Sequence, residues 1–172
     1  MPRLIDTSLI KKFEGCPTGF YKKIKNEHGI EESRYVDDGL CHAYLCPAKV
    51  WTIAHGSTYL LNGARVNSNS VVNLEQADMM LEKHIQTEII DRLDEQLLNS
   101  LTDKQLSALC SLIYRIGITK FNRSKLKKAI LKQDYKLINN NWDWLGKNKA
   151  IHRGLCLRVS EEKAVFFSDK FK

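Results

Sequence analysis

The feature that most restricts this chain is a change of periodicity at residue 73. From there onward apolar residues recur every three or four positions, the spacing that lines one face of an α-helix. Residues 16–70 differ: glycines and polar turns separate short apolar runs. A chain divided in this way folds as α+β, mostly α, with a small β-rich lobe ahead of a helical one. Its 172 residues suffice for one domain of ordinary size.

The helical part can be read in detail. Leu74, Ala77, Leu81, Ile85, Ile89, Leu93 and Leu97 predict one long connecting helix over 73–98, opened by Asn73 and Gln76 as a reciprocal cap. Thr102 and Gln105 repeat that signal before the stripe Leu106, Leu109, Cys110, Ile113 and Tyr114, which Gly117 ends. Shorter helices are expected at 122–132, 134–142 and 154–167, giving a helical lobe over 101–168. At the other end, Leu9, Ile10 and Phe13 form the apolar face of a short helix, capped by Asp6, Thr7 or Ser8 and closed by Gly15 and Pro17. Between lie two strand-like runs, Ala43-Tyr44-Leu45 and Val50-Trp51-Thr52-Ile53, with Cys46-Pro47-Ala48-Lys49 as the turn. Two lobes joined by a long helix leave a cleft, which suits an extended polymer better than a small metabolite.

The net charge of +7 favours polyanionic partners. No zinc spacing or interleaving of aromatics with arginines points to nucleic acid, so none is expected as a partner. Lys22-Lys23-Ile24-Lys25 and Lys125-Leu126-Lys127-Lys128 read as solvated surface. No apolar run approaches the ~20 residues that cross a bilayer, so no transmembrane segment is expected. The start, Met1-Pro2-Arg3-Leu4-Ile5-Asp6, lacks the apolar core of a secretory signal, which predicts synthesis in a cytoplasm. Five cysteines without such a signal argue for mostly free thiols. Cys110 and Cys156 read as small core residues. Cys16, Cys41 and Cys46 flank an irregular segment, and an oxidising compartment would let one pair of them bridge.

Glu14 stands at the carboxyl end of the first helix, where the partial negative charge of the helix terminus tends to raise a carboxyl pKa, as a general acid requires. Its context is more telling. Ile10-Lys11-Lys12-Phe13-Glu14-Gly15, then Ala43-Tyr44 and Trp51-Thr52-Ile53, followed by Leu101-Thr102 with Gln105 and Ala108-Leu109, Tyr114-Arg115-Ile116-Gly117, Phe121 with Ser124-Lys125-Leu126, Trp142-Asp143-Trp144, and Gly154-Leu155 with Arg158 and Glu162, form an ordered set. This set resembles the phage-type lysozymes (endolysins, muramidases), a family of glycoside hydrolases, and implies a single lysozyme-like domain over 1–172, with a β-rich lobe over 15–70.

The resemblance implies Glu14 as the acid that protonates the glycosidic oxygen and Thr52 as a holder of the attacking water. It also implies an aspartate two residues beyond Tyr44, where this chain has Cys46, as thiol or thiolate the unusual third member: a base, a nucleophile or a bystander. Tyr44, Gln105 and Arg158 are expected in support, Arg158 by helping to hold the acid. Trp142 and Trp144 read as packing residues. Three further departures stand out. Ala54 replaces a family glycine, Ser57 replaces a histidine near which His55 reads as a structural residue, and a segment of about 16–42 is inserted between Gly15 and Ala43. Within that insert Asp37 or Asp38 offers a substitute carboxylate, and Glu31 or Glu32 an alternative acid, each without the Phe-Glu-Gly context of Glu14.

The implied activity is cleavage of the β-1,4 bond between N-acetylmuramic acid and N-acetylglucosamine in bacterial peptidoglycan, by a monomer needing no cofactor and no metal. The enzyme would be made in a host cytoplasm and act in the periplasm, or as a secreted effector. The alternative is a catalytically impaired lysozyme-fold protein that binds cell wall or a protein partner.

Overall fold

A computed structural model describes residues 3–143 and 153–170. Trp144 lies outside them. The fold is α+β, and the chain divides into two compact units, Glu14–Lys83 and Met1–Phe13 with His84–Lys172.

The first unit is built from turns and short strands. A β-hairpin pairs β1, Phe20–Lys25, with β2, Glu31–Val36, antiparallel from Phe20↔Val36 to Lys25↔Glu31. It occupies most of the inserted segment, and its strands alternate little between apolar and polar residues because neither face is fully covered. Asn26 makes its turn, accepting the amides of His28 and Ile30 on its side-chain oxygen. At the base, Gly19 adopts φ +92, and a Cβ there would sit 2.3 Å from the Val36 carbonyl oxygen. Only glycine closes this hairpin without distortion. Two further ladders follow, β3 (Cys41–His42) with β6 (Val71–Val72) and β4 (Tyr44–Leu45) with β5 (Trp51–Thr52). Cys41, Ile53, Ala54, Val66, Val72, Ala77 and Met80 form the core of this unit.

The second unit is helical. Its central element, α4 (Asp103–Ile116), buries every residue from Gln105 to Ile113, as a helix surrounded by others must. Thr102 and Gln105 make the expected capping box, and Gly117 ends the helix at φ +84. Against α4 pack α5 (Ile118–Asn122) and α8 (Arg153–Phe167), and α6 (Lys125–Leu131) packs on α5 and on α7 (Tyr135–Asn141). The N-terminal helix α1 spans Ser8–Glu14, with Leu9 and Ile10 buried.

Two expectations need correction. The helix expected over 73–98 is not continuous: α2 (Leu74–His84) passes through a π turn at Ile85–Ile89 and a 3-10 turn at Ile90–Arg92, then breaks where Leu93 becomes extended, before α3 (Glu95–Asn99). Ile85, Thr87, Ile89 and Ile90 are β-branched and hold a helix weakly. The wide turn keeps Ile85 and Ile89 both buried. The cap itself is as expected: Asn73 accepts the Gln76 amide at 2.8 Å, and the Gln76 side chain accepts the Asn73 amide at 3.0 Å. Cys156, expected in the core, is exposed. The inward stripe of α8 is Arg158, Val159, Glu162 and Phe166, and Cys156 falls off it.

Candidate active site

Glu14 is the last residue of α1, and Gly15 leaves the helix in the left-handed region at φ +69. The residues after Glu14 are held firmly. The Gly15 carbonyl accepts the Nδ1 proton of buried His55 at 2.8 Å, and the other ring nitrogen lies 3.3 Å from an Asp78 carboxylate oxygen. One residue on, the Cys16 sulfur meets that of Cys41. His55, in a turn, is thus a structural histidine, as expected. The tether from Asp78 through His55 to Gly15 was not readable from sequence, because nothing local pairs positions so far apart.

Tyr44 and Thr52 stand opposite each other in the β4–β5 ladder, so their side chains share a face. The connecting turn is the three-residue kind: the Lys49 amide bonds the Cys46 carbonyl at 2.8 Å, and the Cys46 amide bonds the Val50 carbonyl at 3.0 Å. Pro47 suits the first turn position, and Lys49 takes the left-handed conformation at φ +59. This geometry aims donors at the Cys46 sulfur. The Val50 amide, then the Thr52 hydroxyl, favour the thiolate and hold the thiol below its ordinary pKa. The Thr52 hydroxyl also donates to the Val50 carbonyl at 3.0 Å. It has one proton, so it turns that proton to the sulfur when the sulfur is ionised and accepts the thiol proton when it is not.

Tyr44 links this pair to Glu14. Partial burial, then the negative charges of Cys46 and Glu14, push its phenol pKa up, so the structure brings Glu14, Tyr44, Cys46 and Thr52 together in one unit. Ala54, beside Thr52 and Ile53, is buried at φ +54. This is the positive φ that a glycine would adopt freely and that costs an alanine about 1–2 kcal/mol.

The remaining candidates have other engagements. Asp37 accepts the Gly39 amide, and Asp38 accepts the Leu40 amide and contacts His42 at 2.9 Å. Glu31 pairs with Lys23, and Glu32 accepts from Asn26 within the hairpin. In the helical unit, Gln105 accepts the Thr102 amide. Arg158 is buried on Ser111 and Glu162, its guanidinium 5.7 Å from the ring centroid of Phe13. Trp142 packs on Phe166 and donates its indole N–H to Glu162, the packing role expected of it.

Comparison with known proteins points to one family. The family model for phage lysozyme matches residues 38–162. An endolysin of Acyrthosiphon pisum secondary endosymbiont phage 1 is 34% identical over 131 residues, covering 73% of this chain and 86% of that protein. An endolysin of Bacillus phage B103 is 26% identical across 96% of this chain, which spans only 53% of that longer relative. Among solved structures, a P22 lysozyme variant superposes with a TM-score of 0.68 at 21% identity, covering 97% of this chain and 99% of that one.

Proposed function

Because the chain belongs to the phage lysozyme family of glycoside hydrolases, we propose that it hydrolyses peptidoglycan at the β-1,4 bond between N-acetylmuramic acid and N-acetylglucosamine, with Glu14 as general acid. One observation carries the reading: Tyr44 and Thr52 face each other across the β4–β5 ladder, with Cys46 in its turn and Glu14 in the same compact unit. Glu14 protonates the leaving oxygen. The Thr52 hydroxyl and the Cys46 thiolate orient the attacking water, the thiolate accepting its proton, in the place of a carboxylate base. The reading takes the chain as one lysozyme-like domain over 1–172. The enzyme works as a monomer on bacterial cell wall in the periplasm and serves host lysis. No helix among the described residues is long and apolar enough to cross a membrane.

The test is turbidity loss of a peptidoglycan suspension with muropeptide analysis of the products. Glu14→Gln should lose about 10²-fold or more in rate, and full activity in that variant would end the assignment. Cys46→Ala should also slow turnover. Alkylation of Cys46 by iodoacetamide should reach half-rate below the usual thiol pKa of about 8.5. Thr52→Val removes a donor to the thiolate and should move that midpoint to higher pH. An unchanged rate in Cys46→Ala would make the sulfur a bystander.

A second reading, a wall- or partner-binding protein without turnover, draws on the methyl group of Ala54 at a positive φ next to Thr52. Sacculus binding without muropeptide release would favour it.

A further inference from the structure

Two sulfurs outside the catalytic reading lie unusually close. Cys16 and Cys41 are 25 positions apart in sequence, and their Sγ atoms are 2.6 Å apart. Unbonded sulfur atoms do not rest at that separation, whereas a disulfide joins them at about 2.05 Å. Neither residue is free to drift away. Cys41 is fully buried in β3, paired with Val72 and bridged to Gly19. Cys16 follows Gly15, whose carbonyl is pinned by His55. The Cys46 sulfur is engaged separately, by its own turn and by Thr52.

We propose that Cys16 and Cys41 are a disulfide-forming pair that closes the base of the inserted hairpin when the protein meets a thiol-oxidising environment, leaving Cys46 as a thiol. With oxidised glutathione as oxidant, the Cys16 thiolate attacks one of its sulfurs and expels one glutathione thiolate. Cys41 then gives up its proton and attacks the Cys16 sulfur of the mixed disulfide, expelling the second. Two protein thiols become one S–S bond, and the two electrons and two protons leave on two reduced glutathione molecules. Burial, then the neighbouring Cys16, push the Cys41 thiol up to about 12, so the closing step should accelerate with rising pH. The bond would close the whole 17–40 segment into a loop, where a cross-link stabilises mainly by restricting the unfolded chain.

The experiment incubates the purified chain with oxidised or reduced glutathione, blocks remaining thiols with iodoacetamide and maps peptides by mass spectrometry. The expected result is a 16–41 cross-link in the oxidised sample with Cys46 alkylated. A 16–46 or 41–46 link, or full alkylation of both Cys16 and Cys41, overturns the proposal. Thermal unfolding provides an independent readout: oxidation should raise Tm by about 5–10 °C. That increment should vanish in Cys16→Ser and persist in Cys46→Ser, and its survival in Cys16→Ser would also refute the pair.

Discussion

The two units of this protein satisfy their buried polar groups in opposite ways. In the helical unit a carboxylate with no exposure, Glu162, is met by Arg158 and Arg115, the Ser111 hydroxyl and the Trp142 indole N–H. In the strand unit the buried histidine, His55, is met by a backbone carbonyl and by an Asp78 that is 44% exposed. Order in the helical unit therefore rests on matched side-chain charges. Order in the strand unit rests on backbone geometry, with Gly15, Gly19, Lys49 and Ala54 all at positive φ.

Charge removal should then damage the helical unit and backbone changes the strand unit. The largest effect is expected for Glu162→Ala, which strands buried guanidinium groups and should cost about 3–5 kcal/mol in urea unfolding. Gly19→Ala comes next, at about 1–3 kcal/mol for the forced shift at the hairpin base. Its damage should be local, so proteolysis within 17–40 should quicken while amide exchange in α4 is unchanged. Asn73→Ala removes the cap of α2 and should cost about 1 kcal/mol by thermal unfolding. Smallest is a gain: Ala54→Gly relieves the left-handed strain and should stabilise by about 0.5–1 kcal/mol. If Glu162→Ala proved milder than Gly19→Ala, the contrast between the units would fail.

The same contrast explains what could be read from sequence. Caps and turns are written in neighbouring residues, so Asn73 with Gln76, Thr102 with Gln105, and the Pro47 turn were all legible. The α6 to α8 region was legible because burial there follows helical spacing, whereas the short α5 was not among the helices expected. The hairpin of residues 20–36 was not, because with both faces largely open to water its strands lack the alternation that marks a half-buried sheet. The break at Leu93 was hidden for the opposite reason: Leu93 and Leu97 are both buried, so the apolar stripe continues across a helix that does not. Of the candidate site, the residue types were readable from the motifs. The donors aimed at the Cys46 sulfur were not, since they depend on how the turn folds.

The His55 bond to the Gly15 carbonyl has a mechanical consequence. Glu14 closes α1, and the Gly15 carbonyl and the Cys16 sulfur just beyond it are both held within the strand unit. Glu14 therefore travels with Tyr44, Cys46 and Thr52 as one body. The Gly15 and Cys16 contacts thereby limit how far the backbone at Glu14 can depart from the strands that carry Tyr44 and Thr52.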